Sequence, residues 1–142
     1  MIKMSMVMFM VMSFLMTLTS AFATTQFSPE CPKEIIMSQH IHSTPAGWRS
    51  INSNAHYYLN YIAMYSGKPE ELASLKPDFI TKSKSTWNFS PHETIYIVCG
   101  YNQTAIQLTK PLPKQTRRCM VWFDQKIKSD YGFIPEKIIC NK

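Results

Sequence analysis

This chain lacks the motifs that mark catalysis. It has no G-x-S-x-G elbow, no H-E-x-x-H pair and no catalytic cysteine signature. Carboxylates are scarce, with nine Asp and Glu in 142 residues. Glu93, Asp124, Asp130 and Glu136 are scattered through polar loops and strand ends, and nothing supplies the apolar pocket that a general acid needs. His92-Glu93, after Ser90-Pro91, reads as turn chemistry. These absences predict a protein that is not an enzyme and carries no cofactor. The cysteines are spaced 68, 20 and 21 residues apart, whereas zinc sites use close pairs such as C-x-x-C. No internal repeat and no low-complexity tract is present.

The segment Met1 to Ala23 reads as a secretory signal peptide. Lys3 supplies the positive start, an apolar run follows to Leu18, and Ala21-Phe22-Ala23 is a small-x-small cleavage pattern. The run falls short of the roughly 20 apolar residues of a stable span. The expected functional protein is therefore one secreted domain, Thr24 to Lys142, placed in the periplasm or outside the cell. Cys31 is eight residues past the cleavage site, so no lipid anchor and no stable membrane attachment is expected.

Seven of the ten methionines fall in the leader, and Met37, Met64 and Met120 do not suffice for a Met-based copper site. Without Lys3 the chain has 14 basic and 9 acidic residues, a net +5. That is mild and unclustered, which argues against nucleic acid as the partner.

The rest reads as short strands punctuated by turns. Lys33 to His42 is extended, with Ile35, Met37 and Gln39 on one face. Thr44-Pro45-Ala46-Gly47 is a turn, and Trp48 to Ile51 a short strand. His56 to Tyr65 fits period two, with Tyr57, Leu59, Tyr61, Ala63 and Tyr65 on one face. It also fits helical spacing, but tyrosine enrichment favours the strand. Ser66-Gly67-Lys68-Pro69 turns the chain, and Glu70 to Leu75 allows one helical turn. Further strands are expected at Phe79–Lys82, Ser85–Phe89, Thr94–Tyr101, Thr104–Thr109, Arg118–Phe123 and Phe133–Cys140, with a tight turn at Asn102-Gln103. The predicted fold is all-β, a small antiparallel sandwich or barrel of about seven or eight strands stapled by two disulfides.

Four cysteines in an exported domain, Cys31, Cys99, Cys119 and Cys140, imply two bridges and no free thiol. Their connectivity depends on the proline loop. If the strands around Cys99, Ile106 and Cys119 form a meander, Cys99 and Cys119 sit about 9–10 Å apart, too far to bond. Cys31–Cys99 with Cys119–Cys140 then follows. If Pro111-Leu112-Pro113 carries the chain to another sheet, that exclusion fails and Cys31–Cys140 with Cys99–Cys119 is also open.

Three groups of residues are candidate sites. His40-Ile41-His42 with His56 is a possible three-nitrogen metal site, although no further ligand lies near in sequence. Lys110, Lys114, Arg117 and Arg118 edge the Pro-Leu-Pro segment and suit a carboxylate- or phosphate-rich partner. Trp48, Tyr58, Tyr61, Tyr65 and Trp87 are candidates for an aromatic recognition patch.

The series Cys31-Pro32, Gly47-Trp48, Gly67-Lys68-Pro69, Leu75, Pro77, Trp87, Val98-Cys99-Gly100-Tyr101, Leu108, Pro111-Leu112-Pro113, Cys119 and Cys140 resembles a family of small exported proteins of Gram-negative bacteria. That family is known only as hypothetical proteins named after a Salmonella member. The resemblance implies a periplasmic location and no activity. Ile95-Tyr96-Ile97-Val98-Cys99, leading into a hairpin, is similar to the cysteine-bearing strand of periplasmic inhibitors of C-type lysozyme. Their Ser-Gly-x-x-Tyr loop is missing here.

The expected function is a non-enzymatic periplasmic binding domain. It would act as an inhibitor or immunity-type partner of an envelope-acting protein, with Trp87, Tyr101, Leu112, Lys114 and Arg117 as contacts. A small-ligand or metal binder, and an envelope structural or stress protein, are the alternatives.

Overall fold

The computed structural model describes residues 24–51 and 53–142, so the expected leader and its cleavage site lie outside the described residues. Ten strands form among those described. They are β1 (Gln26–Phe27), β2 (Glu34–Ser38), β3 (Asn54–Ser66), β4 (Ser74–Leu75), β5 (Phe79–Ile80), β6 (Lys84–Asn88), β7 (Ile95–Tyr101), β8 (Gln107–Pro111), β9 (Arg118–Ser129) and β10 (Gly132–Asn141). One 3-10 turn, Pro69–Glu71, lies between β3 and β4. The count exceeds seven or eight because β1, β4 and β5 are two-residue stubs.

The strands build two antiparallel sheets. The first runs β1-β10-β9-β6-β5, and the second runs β2-β3-β7-β8 with β4 added beside β3. Of the sandwich or barrel expected from the strand spacing, the fold observed is all-β with two antiparallel sheets and two disulfides.

A bulge sets which side of β3 faces inward. Leu59 pairs with Tyr101 and Tyr61 with Gly100, leaving Asn60 as the extra residue. Side chains alternate along a strand, and one extra residue inverts the alternation. Tyr57 and Leu59 therefore point into the core before the bulge, and Ile62 and Met64 after it. The single face expected for Tyr57, Leu59, Tyr61, Ala63 and Tyr65 is broken at this point, and the last three lie opposite.

The core is the layer between the sheets. Met64, Ile95 and Ile97 of the second sheet meet Trp87, Val121 and Ile138 of the first, with Phe89 and Leu112 alongside. β7 lies between β3 and β8, and its β-branched run Ile95, Ile97 and Val98 is 0–2 % exposed. A second cluster joins Tyr57, Leu59, Cys99 and Tyr101, with Cys31, Ile35 and Met37 packed against it.

The proline loop crosses between the sheets. β8 belongs to the second and β9 to the first, so the strands around Cys99 and Cys119 do not form one meander. The bridges are nevertheless Cys31–Cys99 and Cys119–Cys140, with Cα separations of 5.7 and 4.1 Å. Register explains the second bridge, because Cys119 and Cys140 stand directly opposite across β9 and β10.

Three local expectations differ from the structure. Trp48–Ile51 is not a strand: no edge pairs with it, and β propensity without a partner does not order a strand. The segment expected at Thr104–Thr109 starts at Gln107. Gln103 adopts φ 54°, and the Thr104 hydroxyl accepts the Ile106 N–H at 3.1 Å, a turn that uses up the first residues. The extended run ends at Ser38, so His40 and His42 lie on a loop and not on one strand face.

Candidate partner interface

Trp87, Tyr101 and Leu112 are 5 %, 3 % and 6 % exposed, which leaves them little surface to present as contacts. Each has an interior task. The Trp87 indole N–H donates to the Leu75 carbonyl at 3.0 Å, and the Tyr101 hydroxyl donates to the Pro32 carbonyl at 3.0 Å. The Leu112 N–H donates to the Ile95 carbonyl at 2.8 Å, anchoring the crossing loop. Burial pushes the Tyr101 phenol up from its ordinary value. Lys114 and Arg117 are exposed in that loop, and Arg117 leads into Arg118 at the start of β9.

The three histidines are not assembled into a metal centre. His56 Nδ1 contacts Glu34 Oε1 across β2 and β3, while His40 lies near the Ser38 hydroxyl at 3.5 Å. Among the described residues no group of three His, Cys, Asp or Glu side chains converges. A cleft of about 610 Å³ lies between the Ser28–Lys33 segment, Leu59, Ile62 and Pro135–Ile138. The Lys110 ammonium donates to the Glu30 carbonyl there, at 3.3 Å.

The outer face of the first sheet is a more extensive surface. Cys119, Val121, Ile138 and Cys140 point inward, so the alternate residues of β9 and β10 point out. Register aligns them in three rows. Phe79, Met120 and Ile139, with the buried hydroxyl residue Thr86 between Phe79 and Met120, form one row across β5, β6, β9 and β10. Lys84, Trp122 and Lys137 form the row on one side of it, and Asn88, Arg118, Asn141 and Gln26 form the third row, on the other side.

The Trp122 row is an aromatic ring between cations. The Lys84 and Lys137 ammonium nitrogens lie 5.8 and 6.0 Å from the Trp122 ring, at cation–π distance. In the third row Arg118 Nε donates to Asn88 Oδ1 at 2.8 Å. Asn88 is held in turn by Asp78, whose Oδ2 accepts its backbone N–H at 2.7 Å and its side-chain amide at 3.1 Å.

The three rows carry Lys84, Arg118 and Lys137 and no carboxylate. Phe79 is 66 % exposed, and Met120, Trp122 and Ile139 are half-buried. A sheet face with an apolar centre, an aromatic anchor and basic flanks is suited to protein recognition. Sequence reasoning placed the strands but missed this face. The signal was the alternation Met120-x-Trp122 and Lys137-x-Ile139, and sequence alone did not say which parity faced water.

The comparisons with known proteins bear on the same segment. The model of the Type VI secretion system Tli immunity protein family matches residues 53–141, more than half of the chain and including all of β5, β6, β9 and β10. No curated protein matches. No solved structure matches. On the family match, the chain belongs to the Type VI secretion system Tli immunity protein family.

Proposed function

We propose that this protein works in the periplasm as a non-enzymatic immunity protein that binds and neutralises an effector delivered by a type VI secretion system. The observation that carries this reading is the family match over residues 53–141. The outer face of the first sheet is the proposed docking surface. Trp122, Met120 and Phe79 form its centre, and Lys84, Arg118 and Lys137 select an acidic partner surface. Lys114 and Arg117 extend the basic character into the neighbouring loop. The two bridges keep the face pre-organised, which lowers the entropic cost of docking.

Competition between strains tests the reading. A prey strain lacking this gene is set against its parent, and attackers deleted for single effector genes identify the effector responsible. Wild-type protein restores survival, and it binds the purified effector. The Lys84→Glu, Arg118→Glu, Lys137→Glu variant, with unchanged thermal stability, does neither. Equal protection by that variant would overturn the docking surface. Failure of the wild type to protect or bind, with retention on phosphatidylglycerol vesicles, would replace the effector with a membrane surface.

A further inference from the structure

Residues 39–53 join β2 to β3 and form the longest irregular connection among the described residues, of which Asn52 is not one. Connections longer than about 12–15 residues are uncommon in compact domains and usually serve a function. Ile41, Trp48 and Ile51 are 63 %, 75 % and 93 % exposed. One tight turn orders the segment. The Trp48 N–H donates to the Pro45 carbonyl at 3.1 Å, and Gly47 takes φ 84°. Residues 39–51 contain no carboxylate, and Arg49 is the one permanently charged side chain.

Three large apolar side chains held in water on one loop add nothing to the core. Trp and Arg are among the residue types most enriched at the energetic centres of protein interfaces. The loop precedes the family-matched segment, which begins at residue 53, whereas β5, β6, β9 and β10 of the sheet face lie within it. The loop and the sheet face are thus separate segments of the chain.

We propose that residues 41–51 are a specificity-determining contact, with Trp48 and Ile51 seated in an apolar recess of the cognate effector and Arg49 against an acidic rim. This rests on the immunity reading. It makes recognition two-part, with a sheet face that supplies general affinity and a loop that selects the effector.

The test uses the effector identified by the strain competition, purified, with the signal-cleaved protein. The Trp48→Ser, Ile51→Ser variant keeps the wild-type melting temperature and binds at least ~30-fold more weakly, the loss expected of a hot spot. A benzophenone amino acid at position 48 cross-links to the effector, and the same probe at Leu72, which is 82 % exposed, does not. Unchanged affinity of the loop variant, beside lost binding by the Lys84, Arg118, Lys137 reversal, overturns the loop and leaves the immunity reading standing. Absence of binding by the wild type overturns both.

Discussion

The ring of Tyr61 lies across Gly100, in the place where a side chain at that position would project. The two residues pair directly between β3 and β7 just past the bulge. The Tyr61 hydroxyl accepts a hydrogen bond from the Gln107 amide on β8. Tyr131, at the turn between β9 and β10, packs on the ring with centroids 4.8 Å apart and planes inclined by 40°. A glycine is thus the seat of an aromatic contact joining β3, β7, β8 and the hairpin of the other sheet.

Gly100→Ala should therefore displace the ring and cost about 1–3 kcal/mol, the usual penalty of overpacking. Urea denaturation measures it. In a Tyr61→Ala background the same change should cost much less, since the obstructing atoms belong to that ring. Equal costs in both backgrounds would show that the ring is not what excludes a methyl group.

The two bridges should differ in weight. They close loops with sequence separations of 68 and 21. Loop-closure entropy gives about 4 kcal/mol for Cys31–Cys99 and about 3 kcal/mol for Cys119–Cys140. Pairwise Cys→Ser variants compared by urea midpoint test the order. A larger loss from the shorter loop would mean that cross-strand packing outweighs chain entropy.

Leu112→Ala should lower stability by about 2–5 kcal/mol, as truncation of a buried leucine does. It should leave effector affinity of the folded fraction unchanged, because Leu112 is 6 % exposed. Calorimetric titration well below the melting temperature separates the two effects. A specific loss of affinity would return Leu112 to the interface.

Tyr101 should make the fold sensitive to alkali. Its phenol is raised above 10.0 by burial, so the folded state holds the proton more tightly than the unfolded chain. This contribution is complete below about pH 10 and is lost as pH rises through the folded-state value. The melting temperature of the wild type should fall more steeply above pH 10 than that of Tyr101→Phe. At neutral pH the variant, lacking the bond to Pro32, should be less stable by about 1 kcal/mol. Parallel curves across the alkaline range would show that another group governs the decline.

Much of the sheet content was legible because period-two alternation is a local property. Thr94–Tyr101 and Phe133–Cys140 were found within a residue or two of β7 and β10. The Asn60 bulge was not legible, since an extra residue is defined only against its partner strand. The sequence leaves two bridge patterns open, and the choice between them lies in the register of β9 on β10, which no local pattern encodes. Trp87, Tyr101 and Leu112 read as contacts in the sequence because aromatic and apolar residues beside cations look alike in core and interface. Trp122, flanked by Lys84 and Lys137, carries the same composition on the exposed side. Burial told them apart, and burial is a property of the whole fold.

Each bridge joins a cysteine to the next one along the chain, first to second and third to fourth. A polypeptide threaded amino end first through a narrow opening would expose its sulfurs in the same order in which they pair. An oxidase that links thiols as they emerge would then build both bridges without forming a wrong one, and no isomerase would be needed to shuffle them.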